Sequence, residues 1–303
     1  MKALIPLAGQ GTRLLPHTAK RQKALLPIAG KPVLDHLLEP LVSAGIAEVS
    51  LVTGHLGEQV REHMSKYSDL EVTYAEQREQ RGLGEAVFLA LEDKQEPAVV
   101  VVADTIFHLD YAGFINGEGN LIGVVEVDDP RRFGVVETTG RRIVQMVEKP
   151  DEPPSNLAIA GIYRIESQRD LRQILASNMD HKVTTRGEYQ LTDALNHMVG
   201  QGERFHTYPV DRWLDCGTVE TLLSTNRYLL EDLGGRFIDQ EATVERSTIH
   251  SSSIMENCRV ADSTLENCII LPDARVEQCH IYNEIVEEGA QLEGYSSKQM
   301  PPD

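Results

Sequence analysis

Past residue 240 the chain places an aliphatic side chain at Val244, Ile249, Ile254, Val260, Leu265, Ile270, Val276, Ile281, Val286 and Leu292. The intervals run 5, 5, 6 and then repeat, so the register returns every 16 residues. A helix cannot produce this, because its faces recur every 3.6 residues. A three-sided coil with one inward aliphatic per side produces it directly, each turn burying its apolar side chains against the turns above and below. Two residues before nine of the ten stands a small side chain: Ala242, Ser247, Ser252, Cys258, Ser263, Cys268, Ala274, Cys279 and Ala290, with Glu284 as the exception. Small residues fit corners where the backbone turns, which accounts for three of the four cysteines as packing residues. The fourth is Cys216, and no pair has Cys-x-x-Cys spacing, which argues against a zinc site or redox pair.

The first two thirds read differently. Apolar strand-like runs at Ala3–Ala8, Glu48–Thr53, Glu71–Glu76 and Ala98–Ala103 alternate with helical periodicity around Leu34–Ala44, Glu58–Tyr67 and Glu85–Leu91. Further strands are expected at Leu121–Val127, Val135–Glu137 and Ile143–Glu148, and a helix around Thr218–Glu231. Such alternation predicts a mostly parallel α/β sheet with helices on both faces and ligands beyond the carboxyl ends of the strands. The change of pattern after Gly234-Gly235 divides the chain into 1–236 and 237–303.

A formal charge of −18 over 303 residues repels nucleic-acid phosphates, so any polyphosphate site must be a local island of positive charge. The first residues carry no basic segment followed by an apolar run, and no stretch is long and apolar enough to span a bilayer. The expectation is a cytoplasmic protein that binds neither membrane nor nucleic acid.

One such island is visible at the start. The strand runs through Leu7 and Ala8 into Gly9-Gln10-Gly11-Thr12-Arg13, and Lys23 follows ten residues later, before Leu25-Leu26-Pro27-Ile28 and Gly30-Lys31-Pro32. Two glycines after a strand let backbone N–H groups close on an anion. Thr12 adds a hydroxyl, and Arg13 and Lys23 add charge where a polyphosphate would lie. Two carboxylates end apolar segments: Asp104, after Val99–Ala103, and Asp215, within Trp213-Leu214-Asp215-Cys216-Gly217-Thr218. Taken alone, each is equally a cap or turn residue.

In combination these motifs resemble the sugar-1-phosphate nucleotidyltransferases, whose pattern is Ala-Gly-x-Gly-Thr-Arg, then Pro-Lys, Leu-Pro and Gly-Lys-Pro. Gln22 stands where that family has proline, a change of rigidity at the approach to Lys23. The resemblance implies a Rossmann-like mixed sheet, and for the tail a short left-handed β-helix built from hexapeptide-like repeats. It implies that Asp104 and Asp215 hold magnesium, although Ala103 and Thr105 replace the family's glycine and asparagine around the first acid. Gln77 and Gly82 match its base-reading segment, the glutamine amide able to donate and accept at once toward the imide edge of uracil or thymine. Leu7, Ala8, Gly9, Gly11, Thr12 and Arg13 match its nucleotide loop. Gly134, Glu148, Lys149 and Gly161 match its sugar-phosphate site. Arg13, Lys23, Asp104, Lys149 and Asp215 carry the catalytic roles. The segment Gly187–Ala194 also matches, its acids orienting sugar hydroxyls or capping the following helix.

The implied reaction joins dTTP or UTP to a sugar-1-phosphate, with glucose-1-phosphate the first choice, releasing pyrophosphate with magnesium as cofactor. Competing readings keep the fold: GTP with mannose-1-phosphate, acyl transfer by the tail, or a non-catalytic regulatory subunit or sugar-nucleotide sensor. Retention of both metal acids speaks against the last, and the tail's short length and its only two histidines, His250 and His280, against the second. So short a coil has little core of its own and an exposed end, which leads to the expectation of a homo-oligomer.

Overall fold

The computed structural model describes residues 1–297. By packing, the chain divides into two compact units, one of Met1–Gln10 with Leu37–Trp213, the other of Gly11–His36 with the chain from Leu214 onward.

The first unit is built on a nine-stranded sheet. From one edge its strands are Glu71–Glu76, Glu48–Thr53, Lys2–Pro6, Ala98–Val101, Leu157–Ile165, Asn120–Glu126, Phe205–Pro209, Arg142–Glu148 and Gly134–Thr139. The first four are mutually parallel. Beyond them the sheet departs from the mostly parallel expectation. Leu157–Ile165 runs antiparallel to both its neighbours, and Gly134–Thr139 pairs with Arg142–Glu148 as a hairpin. The hairpin follows from its connection, since two intervening residues permit only an antiparallel return, whereas a parallel neighbour needs a crossover. Helices Leu83–Ala90, Gln168–Asp180 and Leu191–Gly200 cover the sheet, burying Val87, Leu171, Leu175, Leu191 and Leu195 against Leu4, Val100, Ile122 and Phe205. Because the four parallel strands share a direction, residues following Glu76, Thr53, Pro6 and Val101 emerge along one edge. That edge carries Gln77, Leu7-Ala8-Gly9 and Asp104.

The second unit holds the periodic tail. Three parallel sheets advance 16 residues per strand, with Val244, Val260, Val276 and Leu292 paired in one column. Ile249, Leu265 and Ile281 form the second column, and Ile254, Ile270 and Val286 the third. The corners are made by residues with positive φ: Arg246, Ser251, Asn257, Asp262, Asn267, Asp273 and Gln278, each one residue before a small side chain, and Asn283, one before Glu284. Asparagine and aspartate tolerate this left-handed conformation better than other side chains, which explains their recurrence there. The serines do more than fill space, since Ser252 Oγ accepts the N–H of Cys268 at 2.9 Å, and Ser247 and Ser263 serve the next rung likewise at 3.0 Å. One face of the coil packs on helix Val219–Glu231, where Asn226 Oδ1 accepts from Ser253 Oγ at 2.6 Å and from the Ala29 N–H at 2.9 Å. Among the described residues, no helix is long and apolar enough to cross a membrane.

Candidate active site

In the first unit, Leu7 and Ala8 are buried and Gly9 is exposed, with open space where a Cβ would project. A ligand can therefore approach that backbone closely. Leu7 N–H donates to Val52 O at 2.7 Å and Gln80 Nε2 donates to Ala8 O at 3.0 Å, tying this strand end to the loop that follows Gln77.

That loop ends at Gly82, whose φ of 112° suits glycine, and a Cβ there would lie 2.5 Å from Tyr189 O. The close approach lets Tyr189 bridge two backbone groups, its N–H donating to Arg81 O and its carbonyl accepting from Gly84 N–H, both at 2.8 Å. Gln77 is buried, and its Nε2 donates to Gly82 O at 3.1 Å and to Glu85 Oε2 at 3.0 Å. Arg81 pairs with Glu85 from the other side. Burial works to raise the Glu85 pKa, but the bonds from Arg81 and Gln77 outweigh it and hold the carboxyl below its ordinary value.

Asp104 lies in the turn after Ala98–Val101, two residues beyond Val102, which faces Gly161 on the neighbouring strand. Gly161 has φ of 102°, its carbonyl accepts the Val102 N–H at 2.9 Å, and a Cβ would stand 2.3 Å from Val102 Cγ2. Only glycine permits this irregularity, which falls where the pairing register shifts between Ile159 and Tyr163. Tyr163 follows closely; burial, reinforced by the charges of Glu148 and Asp104, raises its pKa well above the phenol's ordinary value.

Of the residues expected at a sugar-phosphate site, Gly134 and Lys149 gather around Glu148. Its Oε2 accepts from Thr192 Oγ1 at 2.7 Å, and its Oε1 lies 3.2 Å from Lys149 Nζ. A Cβ on Gly134 would come within 3.0 Å of both Glu148 Oε2 and Thr192 Oγ1, so the absence of a side chain at 134 keeps this pair in place. Lys149 is one of the few non-glycine residues with positive φ, at 43°, its N–H held by Phe133 O at 3.0 Å and its carbonyl by Arg186 at 3.0 Å. Asp193 accepts from Thr185 Oγ1 at 2.7 Å; burial, reinforced by Glu148 and opposed by that hydroxyl, raises its pKa. The helix Leu191–Gly200 has no side-chain cap, so the capping role expected for these acids is not found. The segment from Thr185 to Asp193 touches both halves of the site, through Tyr189 on one side and through Asp193 and Arg186 on the other.

The second unit carries Gly11, Thr12, Arg13, Lys23 and Asp215. Thr12 and Arg13 are exposed at the start of the short turn Thr12–Leu14, and buried Thr18 donates to Gly11 O at 2.8 Å. Gln22 has φ of −61°, the value that proline would lock, and its Oε1 accepts the Ala24 N–H at 2.6 Å. A side-chain cap thus supplies the stiffness that the missing ring would give. Asp215 Oδ1 accepts the Gly217 N–H at 2.9 Å, and Thr225 Oγ1 donates to its carbonyl at 2.8 Å. Arg13 lies alongside: a Cβ at residue 217 would stand 2.9 Å from Asp215 Oδ1 and 3.0 Å from Arg13 Nη2.

Among the described residues no three histidine, cysteine, aspartate or glutamate side chains form a cluster able to hold a metal alone. The carboxylate oxygens of Asp104 and Asp215 are hard donors, and Asp215 Oδ2 takes no hydrogen bond from the described residues. Either carboxylate by itself is of the kind that suits magnesium, which takes as few as one and completes its shell with phosphate oxygens and water.

Sequence reasoning missed Thr192, Tyr163 and Glu85. Glu85 carried a usable signal, an acid four residues after Arg81 at a helix start. Thr192 falls within the matched segment Gly187–Ala194 and Tyr163 two residues after Gly161, but their partners are distant in the chain.

A family profile described as nucleotidyl transferase matches residues 2–232. Among characterised proteins the chain is 34% identical over 240 residues to the bifunctional protein GlmU of Methanococcus vannielii, covering 77% of this chain and 56% of that one. It is 31% identical over 287 residues to glucose-1-phosphate thymidylyltransferase of Streptomyces antibioticus, covering 88% and 76%. The chain thus spans little more than half the length of the GlmU relative. A solved structure of UDP-glucose pyrophosphorylase complexed with UDP-glucose superimposes with a TM-score of 0.67 at 25% identity, covering 76% of this chain and 98% of the other.

Proposed function

We propose, from the premise that this chain belongs to the nucleotidyl transferase family, that it joins a pyrimidine nucleoside triphosphate, dTTP or UTP, to a sugar-1-phosphate, with glucose-1-phosphate the favoured acceptor. The observation that carries the reading is the shared edge of the first unit, where the Leu7-Ala8-Gly9 backbone, Gln77 and Asp104 emerge from parallel strands. Such an edge is where open α/β sheets bind nucleotides. Relatives named for thymidylyl transfer and for UDP-glucose favour the same substrates.

In this reading the sugar phosphate oxygen attacks the α-phosphorus in line, and pyrophosphate leaves. Gln77 and Gly82 receive the base. The loop from Gly9 to Thr12 binds phosphate through its N–H groups, and Arg13 and Lys23 stabilise the negative charge gathering on pyrophosphate. Lys149 holds the attacking phosphate, while Glu148, fixed by Thr192, accepts hydrogen bonds from sugar hydroxyls, with Gly134 and Gly161 leaving room for the ring. Asp104 and Asp215 would hold magnesium, which neutralises phosphate charge and orients the triphosphate when bound. Residues 1–236 act as the catalytic part. Residues 237–303, of which 298–303 lie outside the described residues, form a left-handed β-helix with a structural and oligomerising role, supported by its three parallel columns. The reading includes a cytoplasmic setting and a homo-oligomer.

Pyrophosphate release across a grid of nucleoside triphosphates and sugar-1-phosphates, with and without magnesium, tests it. The expected result is release confined to pyrimidine triphosphates with glucose-1-phosphate. Release only with GTP and mannose-1-phosphate, or none with any pair, overturns it.

A further inference from the structure

We propose that Glu85 is a positioning residue that fixes which atom of Gln77 faces the nucleotide base, and thereby sets the choice between uracil or thymine and cytosine; this rests on the nucleotidyltransferase reading above. A primary amide has two N–H hydrogens and one carbonyl oxygen. In Gln77 both hydrogens are spent within the protein, one on Gly82 O at 3.1 Å and one on Glu85 Oε2 at 3.0 Å. The orientation is forced by chemistry: the flipped amide would set its oxygen against two acceptors, leaving a carboxylate and a carbonyl facing a third lone pair. Gln77 Oε1 takes no hydrogen bond from the described residues and is not among the enclosed polar atoms left without a partner, so it stays open to a ligand. The Gly82 N–H, five residues on, also donates to nothing among the described residues, while its carbonyl accepts from Gln77.

The protein therefore presents an acceptor at Gln77 and a donor at Gly82. Uracil and thymine offer the complement, an N3–H beside the O4 carbonyl. Cytosine offers the reverse, a bare N3 beside an amine, and meets acceptor with acceptor and donor with donor. The base does not touch Glu85. Its influence passes through the amide, and Arg81 keeps it ionised and in reach, with Arg81 Nε 2.8 Å from Glu85 Oε1. Glu85→Gln removes the charged half of the constraint and leaves only the Gly82 carbonyl opposing the flip, since a second amide can donate to Gln77 Oε1 as readily as accept from Nε2, and the flipped Gln77 then donates to cytosine N3.

The test is equilibrium binding of UTP, CTP and 3-methyluridine triphosphate to the full chain, with thermal melts to confirm folding. Wild type is expected to prefer UTP over CTP and over the 3-methyl analogue by a factor of ~100 or more. In Glu85→Gln the UTP:CTP ratio is expected to fall ~10-fold, chiefly through a gain in CTP binding, while Glu85→Asp, which keeps the carboxylate, retains most of the preference. A ratio unchanged from wild type in Glu85→Gln, with both nucleotides weakened alike, would mark a merely structural role and overturn the inference. So would wild type that binds 3-methyluridine triphosphate as well as UTP, an outcome independent of any variant's folding. A wild-type chain that binds no nucleotide overturns the nucleotidyltransferase reading itself, and this inference with it.

Discussion

Arg21 Nη2 lies 2.5 Å from Glu288 Oε2, joining the segment that follows the glycine loop to the coil 267 residues along the chain. Both ends are partly exposed, so the bond belongs to the class worth at most about 1 kcal/mol, and salt screens it. Glu288→Gln should lower the thermal midpoint by no more than a few degrees at low ionic strength, and the difference from wild type should vanish near 1 M salt. A large loss that persists in high salt would mean that Glu288 holds the fold by something other than its charge.

The paired acids are the sharper test of chemistry. Under the proposed reading, Asp104→Asn and Asp215→Asn should each cut turnover by a factor of ~100 or more while circular dichroism stays unchanged, because the amide keeps the shape but loses the charge that would hold magnesium. In Asp215→Asn the amide oxygen can still accept the Gly217 N–H, so the turn survives the change. Near-normal magnesium-dependent turnover in either variant removes that acid from the site.

Gly161→Ala should destabilise the protein by roughly 2 kcal/mol or more, since the new methyl meets Val102 2.3 Å away in a conformation that side chains avoid. Urea denaturation gives the value. Activity should fall with it, because the strain is released toward the turn that carries Asp104. Wild-type stability in this variant would mean that the strand can slide past Val102 at no cost.

Glu85 should leave a mark on acid stability. Its folded pKa lies below the ordinary value, so the unfolded state binds the proton first and stability falls with falling pH. The stabilisation from its bonds is complete above the unfolded pKa of about 4.3 and is lost as pH drops through the depressed folded value. The stability difference between wild type and Glu85→Gln should therefore stay level from neutrality to about pH 4.3 and shrink below it. A difference that widens on acidification contradicts this sign.

Where patterns are local, the sequence is readable. The strand Glu48–Thr53 and the strand Glu71–Glu76 fall where their apolar runs place them, and the coil columns follow from a period that needs no knowledge of distant contacts. The left-handed corners are also legible, since Asn257, Asp262, Asn267 and Asp273 recur one residue before the small positions. Long-range pairing is not. Nothing near Phe205–Pro209 announces that it lies parallel to Asn120–Glu126, some 85 residues earlier in register. A glutamine amide at position 77 can in principle both donate and accept, and only its contacts with Gly82 and Glu85 reveal that both donors are already spent. Likewise Gln22 in place of proline reads as a loss of rigidity, and only its bond to the Ala24 N–H shows that the constraint is supplied another way.

The coil behaves as a screw thread, and a thread accepts whole turns only. Met255 and Leu271 occupy equivalent places on successive turns, their N–H groups donating to Ile270 O and Val286 O at 3.0 Å. Excising residues 255–270 would therefore join Ile254 to Leu271 with every downstream side chain facing as before. Deleting one residue instead would rotate all that follows, turning Val276 outward and bringing a charged neighbour in. Length changes that survive in such a tail should come in steps of one full turn, so its size can drift over generations while its cross-section stays fixed.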